Sequence, residues 1–341
     1  MMNHVDKIER GKYNNMKNTE RNTRDKERVK MIDLIDINAY PVKETLKLLL
    51  KDKTTGKNII WATDTYFSDG GPKDTDEIEI GNLTGFQAIH LQPRISKDIE
   101  EQQARTRKKA EVFTPVWLCN QMNNHADKEW FGREIVFNIE IENRWITVEE
   151  PIVFPKGKNW KEYVDSRRIE ITCGEAPFLI SRYDAATGKL IEPPKHRIGF
   201  LDRKLRIVDE NAADKKEWLK WAERAFQSSY GFEYQGDNLL IARINCIMTF
   251  YDYYVDRWGE DPDAKTLRHI ANVISWNIWQ MDGFTDTVPL GKPQEKTHQI
   301  TLFELLGEEN AQEERIAPLC KIQNWRAERP VLYQDLKQKE V

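Results

Sequence analysis

The stretch RIEITCGEAPFLISRYD, residues 168–184, limits the possible folds more than any other. It reads as a strand, a tight turn at Cys173-Gly174, and an apolar run over 176–180 that begins at helical spacing. Glu170 lies just before the turn. In an open α/β sheet such a joint is where a cofactor is held. The glycine lets backbone approach the ligand, and the loop lies at the carboxyl end of a strand beside a switch in strand order. An ordinary strand-turn-helix joint has the same local pattern, so the neighbouring segments carry the decision.

Two further strands follow, each ending in an acid. Residues 229–238 read as a strand ending in Glu233, with Asp237 as N-cap of an apolar helix over 239–254. Residues 274–283 read as a third strand ending in Asp282, with Gly283 after it. Helical patterns over 199–208, 214–228 and 264–273 separate the three, giving a βαβαβ order and an α/β fold. A carboxylate in the Glu233 position can accept both hydroxyls of a ribose, one per oxygen, and one at Asp282 can accept from an amino group such as adenine N6. The tryptophans of the 214–228 helix, Trp218 and Trp221, fall at core spacing with Ala222, Ala225 and Phe226.

Upstream, residues 1–30 are polar and aperiodic and read as a tail, and 31–104 as an accessory α+β region with a short helix near 46–50 and a strand at 58–63. A charged helix is expected over 96–110. It runs into Phe113-Thr114-Pro115, where Pro115 stands at the first position of a helix with Thr114 as its N-cap. Free N–H groups at such a start suit an anionic ligand group. Alternation over about 130–160 predicts a β-rich insertion, and 291–341 reads as an irregular C-terminal segment with a short helix near 301–307.

Charge and cysteine usage remove several function classes. A net charge of −4 gives no global attraction to polyanions. The two basic runs, Arg105, Arg107, Lys108, Lys109 and Arg197, Arg203, Lys204, Arg206, read as solvated helix faces. Cys119, Cys173, Cys246 and Cys320 lie far apart without zinc-site spacing, the histidines show no ligand spacing, and a reducing cytoplasm is the expected compartment. No apolar run approaches the roughly 20 residues of a membrane span, so no membrane partner is expected. A metal-dependent nuclease would have only Asp335-Leu-Lys337 to draw on, without a convincing upstream acid.

With these residues in view, the chain resembles the adenine-specific DNA methyltransferases of restriction-modification systems over roughly residues 105–284. Phe113-Thr114-Pro115 looks like the family's cofactor-contacting Phe-Thr-Pro element. The segment from Glu170 through Thr172, Cys173 and Gly174 to Phe178 looks like its acidic-x-x-Cys-Gly-x-Gly-x-Phe-Leu loop. Tyr230-Gly-Phe-Glu233 resembles the second motif, and Asn277-Ile-Trp-Gln-Met-Asp282 the third. The resemblance implies a Rossmann-like sheet over about 105–290, S-adenosylmethionine as cofactor, and DNA as partner. It implies cofactor contacts from Phe113, Thr114, Pro115, Glu170, Thr172, Cys173, Gly174, Phe178, Glu233, Asp282 and Gly283. The sequence departs from the family twice. Ala176-Pro177 stands where the loop has its second glycine, and no Asn-Pro-Pro-Tyr or Asp-Pro-Pro-Tyr follows Asp282, although that element binds the target amine in the family. The implied activity is therefore adenine-N6 methyl transfer, alone or with a partner subunit that carries the missing tetrapeptide or a nuclease. The alternative is a non-catalytic cofactor-binding or DNA-recognition subunit.

Overall fold

The computed structural model describes residues 34–67, 70–85, 88–97, 114–293 and 315–337. The tail, the charged helix with the first basic run, Phe113 and the helix near 301–307 lie outside those residues.

At the centre is a three-stranded parallel sheet of β3 (Arg168–Glu170), β4 (Ser229–Glu233) and β5 (Ile278–Gln280), in the order β3-β4-β5. Glu170 pairs with Gly231 and Glu233 with Gln280, so the carboxyl ends of the strands lie along one edge. The β3 to β4 crossover holds α5 (Phe200–Asn211) and α6 (Lys215–Gln227). The β4 to β5 crossover holds α7 (Gly236–Trp258) and α8 (Ala264–Asn277). Both crossovers step in the same direction, and with the usual right hand they place all four helices on one face. Accordingly α5 packs on α6 and α7, and α8 on α6 and α7.

Period-two alternation sorts the strand side chains. Ser229, Gly231, Glu233, Ile278 and Gln280 share the helical face with Glu170, while Ile169, Tyr230, Phe232 and Trp279 face away. The second face is covered in part by the hairpin β6 (Lys321–Asn324) and β7 (Arg329–Leu332) and by α9 (Tyr333–Lys337), whose Tyr333 ring lies 5.3 Å from Trp279 and 6.1 Å from Phe232.

The accessory region shares this core. Helix α1 (Val42–Leu49) packs on α7 and α8, and one cluster of buried side chains runs from Leu34 through Trp61 to Ile278. The buried Arg243 of α7 joins the parts, donating to the carbonyls of Leu49, Lys51, Ser275 and Ile278. Short α2 (Ile80–Leu83) completes this region. Helix α3 (Val116–Phe131), the hairpin β1 (Asn138–Ile141) and β2 (Arg144–Thr147), and α4 (Trp160–Asp165) lie between it and β3. The β-rich insertion is thus one two-stranded hairpin among the described residues.

Several local expectations are corrected. Residues 58–63 form isolated bridges rather than a strand, their backbone groups going to Leu50, Asp76 and Gln280. No helix starts at Ala176. Pro177 has no N–H to give, and the N–H groups of Phe178 and Leu179 are taken by Glu170, so the chain reaches an α-helix only at Phe200. Pro115 is itself the cap residue of α3 and Thr114 makes no side-chain cap. Gln235 caps α7, and Asp237 lies inside its first turn. Residues 274–277 finish α8, so β5 begins at Ile278. Asp214 caps α6, accepting the Glu217 N–H at 2.8 Å.

The second basic run is not a solvated face: Arg197, Arg203, Lys204 and Arg206 are all buried. Arg203 pairs with Asp127, which also binds Arg168 and the Tyr163 hydroxyl. Lys204 Nζ donates to Ser166 O and to Ser228 O and Oγ at 2.6–3.1 Å, tying the approaches to β3 and β4 together. Arg197 pairs with Asp252, and Arg206 holds the carbonyls of Phe137 and Val148 on the β1-β2 hairpin. Trp218 is fully buried and Trp221 half-buried, as core spacing required.

Candidate functional site

The acids at the ends of β3 and β4 are buried and grip the same turn. Glu170 accepts the N–H groups of Phe178 and Leu179 at 3.2 and 2.8 Å. Glu233 accepts those of Gly174 and Gln235 at 2.8 and 3.1 Å. Cys173 N–H bonds Phe232 O at 2.8 Å, which anchors the turn to β4. The turn needs left-handed backbone at Thr172 (φ 47°), Gly174 (φ 54°) and Ala176 (φ 67°). Only Gly174 adopts it without steric cost, and a Cβ there would meet nothing within 4 Å. Ala176 thus keeps a glycine-like backbone with an alanine side chain in it.

Burial dominates the electrostatics. It pushes the Glu170 carboxyl up to about 8, against the pull of its two N–H donors and with the help of nearby Glu233. Burial also raises Glu233, opposed by the N–H groups of Gln235, Gly174 and Tyr234. The Cys173 thiol is raised well above its usual range by burial and by both acids, so it offers no thiolate nucleophile at neutral pH.

The start of α3 lies against this loop. Asn123 Nδ2 donates to Phe178 O and Ile198 O at 3.0 Å each, and Val116 and Cys119 cluster with Ile198 and Phe178. Thr114 and Pro115 are therefore brought to the loop's flank. Thr172 is exposed, and its hydroxyl donates to Ile171 O at 2.7 Å.

The accessory region roofs the same edge, a role that leaves no pattern in its own residues. Gln280 exchanges hydrogen bonds with both backbone groups of Ile60, at 2.9 and 2.8 Å, and Gly236 N–H bonds Trp61 O at 2.8 Å. A Cβ on Gly236 would lie 2.0 Å from Ile60 O, so this approach requires glycine. The Trp61 and Tyr66 rings meet at a tilt with centroids 4.8 Å apart, and the Tyr66 hydroxyl donates to Asp237 at 3.0 Å. Glu175, in the turn, accepts the Arg94 backbone N–H and the Tyr183 hydroxyl, which in turn accepts from Asn245 at 3.1 Å.

Asp282 shares the sheet end but not the turn. Met281 N–H bonds Glu233 O at 3.0 Å, which fixes the backbone beside β4. The Asp282 carboxylate folds back on its own turn, accepting the Phe284 N–H at 2.9 Å, and lines a separate hollow with Thr285, Lys292 and Arg315. Gly283 is exposed, and a Cβ there would meet Phe232 at 3.1 Å.

No protein-family model matches the chain, and neither a curated protein nor a solved structure does. No cluster of side chains among the described residues could hold a metal ion, and no helix among them is long and apolar enough to cross a membrane.

What the edge offers is acceptors. Each Glu233 oxygen carries one N–H bond and keeps a lone pair for a further donor. One turn into α7, Asn238 Oδ1 is buried without a donor among the described residues. These acceptors match hydroxyl and ammonium donors in hydrogen-bond chemistry, and a Cβ at Gly174 would meet nothing within 4 Å.

Proposed function

We propose that this chain carries the cofactor-binding part of an S-adenosylmethionine-dependent DNA adenine-N6 methyltransferase, acting alone or with a partner chain that supplies the amine-binding tetrapeptide. One observation carries the reading: Glu170 and Glu233, at neighbouring carboxyl ends of parallel strands, close on a single glycine-bearing turn. The order β3-β4-β5 matches the first three strands of a Rossmann-like sheet, in which ligands bind outside the carboxyl ends.

In this reading the Glu233 oxygens accept ribose hydroxyls, and Glu170 holds the 173–179 turn in shape through Phe178 and Leu179. The open backbone at Gly174 lets the methionine portion lie close, with Asn238 Oδ1 as an acceptor for its ammonium. The start of α3 at Thr114-Pro115 and the roof at Trp61 and Tyr66 exclude water from the flanks. Asp282 keeps Oδ2 to accept the adenine amine, since the Phe284 N–H occupies Oδ1 alone. Bound S-adenosylmethionine supplies an electrophilic methyl group on sulfur; the protein's share is orientation and electrostatics.

The lack of Asn-Pro-Pro-Tyr in the sequence favours a second reading, a non-catalytic cofactor-binding or DNA-recognition subunit. Methyl transfer to adenine in genomic DNA, assayed with and without the product of the neighbouring reading frame, separates the two. Transfer, with or without that product, supports the proposal, and S-adenosylmethionine binding without transfer in either case supports the second reading. If calorimetry of the wild-type chain gives no heat with S-adenosylmethionine, both fail.

A further inference from the structure

A cavity of about 300 Å³ lies on the sheet face opposite the helices, between the strands and the C-terminal hairpin. Its volume falls at the small end of ligand pockets, about 300–1,000 Å³. The floor is aromatic: Tyr230 and Trp279 from the sheet, Trp325 and Tyr333 from the hairpin side. The Trp325 indole is fixed by its N–H bond to Asn277 Oδ1 at 2.8 Å, so its ring is already oriented. No carboxylate lines the cavity, but five cations do. Three of them, Arg167, Arg326 and Lys337, are exposed, Lys337 being paired with Asp286. Arg326 shares Asp165 with Arg224, whereas Arg167 has no hydrogen-bond or ion-pair partner among the described residues. In a chain of net charge −4 this is a local reversal of sign.

Aromatic rings beside a cation with no acid of its own, Arg167, are the chemistry that binds single-stranded nucleic acid. A purely apolar ligand would leave the Arg167 charge unused, and an acidic peptide would leave the aromatic rings without a planar partner. We propose that the cavity is a nucleotide-binding site for a single DNA strand, with a base on the aromatic floor and its phosphate at Arg167 and Arg326. It is separate from the acid-lined edge, which lies on the other face of the sheet. The choice of DNA rests on the function proposed above; the site itself does not.

The test is the fluorescence anisotropy of a short labelled oligothymidylate with the full chain. Lacking adenine, this probe cannot act as a methyl acceptor. The expected result is salt-sensitive binding that Arg167→Glu and Arg326→Glu each weaken by about tenfold. Tyr333→Leu, which keeps bulk but not the ring, should weaken it by about fivefold. Calorimetric heat with S-adenosylmethionine should be unchanged in all three variants, which also shows that they fold. No anisotropy change with wild type at low salt overturns the proposal, as does unaltered binding in the Arg167→Glu, Arg326→Glu double variant. Oligothymidylate binding without S-adenosylmethionine heat would remove the methyltransferase reading alone, and the converse would remove this site alone.

Discussion

The Glu233 side chain at the end of β4 accepts the backbone N–H of Gly174 at 2.8 Å, so the turn after β3 is held by the acid of the neighbouring strand. Glu170 grips the far side of the same turn through Leu179 at 2.8 Å. The loop is thereby shaped before any ligand arrives, which lowers the ordering cost of binding.

Glu233→Gln keeps one acceptor oxygen and turns an amide NH2 against a backbone N–H, so Gly174 or Gln235 loses its partner. The expected cost is about 1–3 kcal/mol in urea unfolding. A change below a few tenths of that range would mean that the two N–H groups find other acceptors.

Stability should fall as pH rises. Burial pushes Glu170 up to about 8, Asp209 to about 7 and Asp202 to about 6, each above its ordinary value. Between the ordinary and the raised values the folded chain holds protons that the unfolded chain has released. The stability these groups contribute is therefore full below the ordinary range and is lost as pH climbs through about 6, 7 and 8. Asp127 runs the other way: burial opposes its charge, but Arg203 and Arg168 prevail and hold it low, so its contribution is lost in acid. Urea midpoints should thus decline from about pH 5 to about pH 8, with Glu170→Gln removing the last part of the fall. Midpoints that rise over that interval would contradict the burial of these acids.

Ala176→Gly should be nearly neutral, because relief of left-handed strain, about 1–2 kcal/mol, offsets a lost methyl contact and added chain entropy. The control is Ala222→Gly in the interior of α6, also buried, where helix propensity and the methyl loss add to about 2 kcal/mol. Equal losses at the two positions would show that Ala176 is not strained.

Gly236→Ala should cost about 2 kcal/mol or more, since its Cβ would enter the Ile60 carbonyl and lift the roof from β5. Limited proteolysis should then cut near residues 60–66 sooner than in wild type. An unchanged cleavage pattern and urea midpoint would show that the roof is not seated there.

The sheet was legible because β4 and its acid are bounded by helices with strong periodicity and, for α6, a true cap at Asp214. Glu170 and Glu233 were legible for the same reason. The buried cations were not, because Arg203 finds Asp127 seventy-six residues away and polarity along the chain carries no sign of such a partner. The end of α8 was misread because apolar residues over 270–281 satisfy helix and strand periods alike. The roof depends on single backbone bonds to Gln280 and Gly236, which leave no pattern in the 58–66 segment. Gln280, a polar residue inside an apolar strand, was the one available hint. Asp282, expected to contact the same cofactor as the other acids, has its carboxylate directed to Phe284 by the two residues of turn beyond β5.

The most direct measurement follows the Gly174 amide itself. In protein labelled with 15N at its 17 glycines, the Gly174 resonance, identified by its absence in Gly174→Ala, should shift on addition of S-adenosylmethionine, and Glu233→Ala should abolish the shift. A spectrum unchanged at saturating S-adenosylmethionine, or shifts confined to other glycines, would contradict the assignment of this turn as the cofactor site.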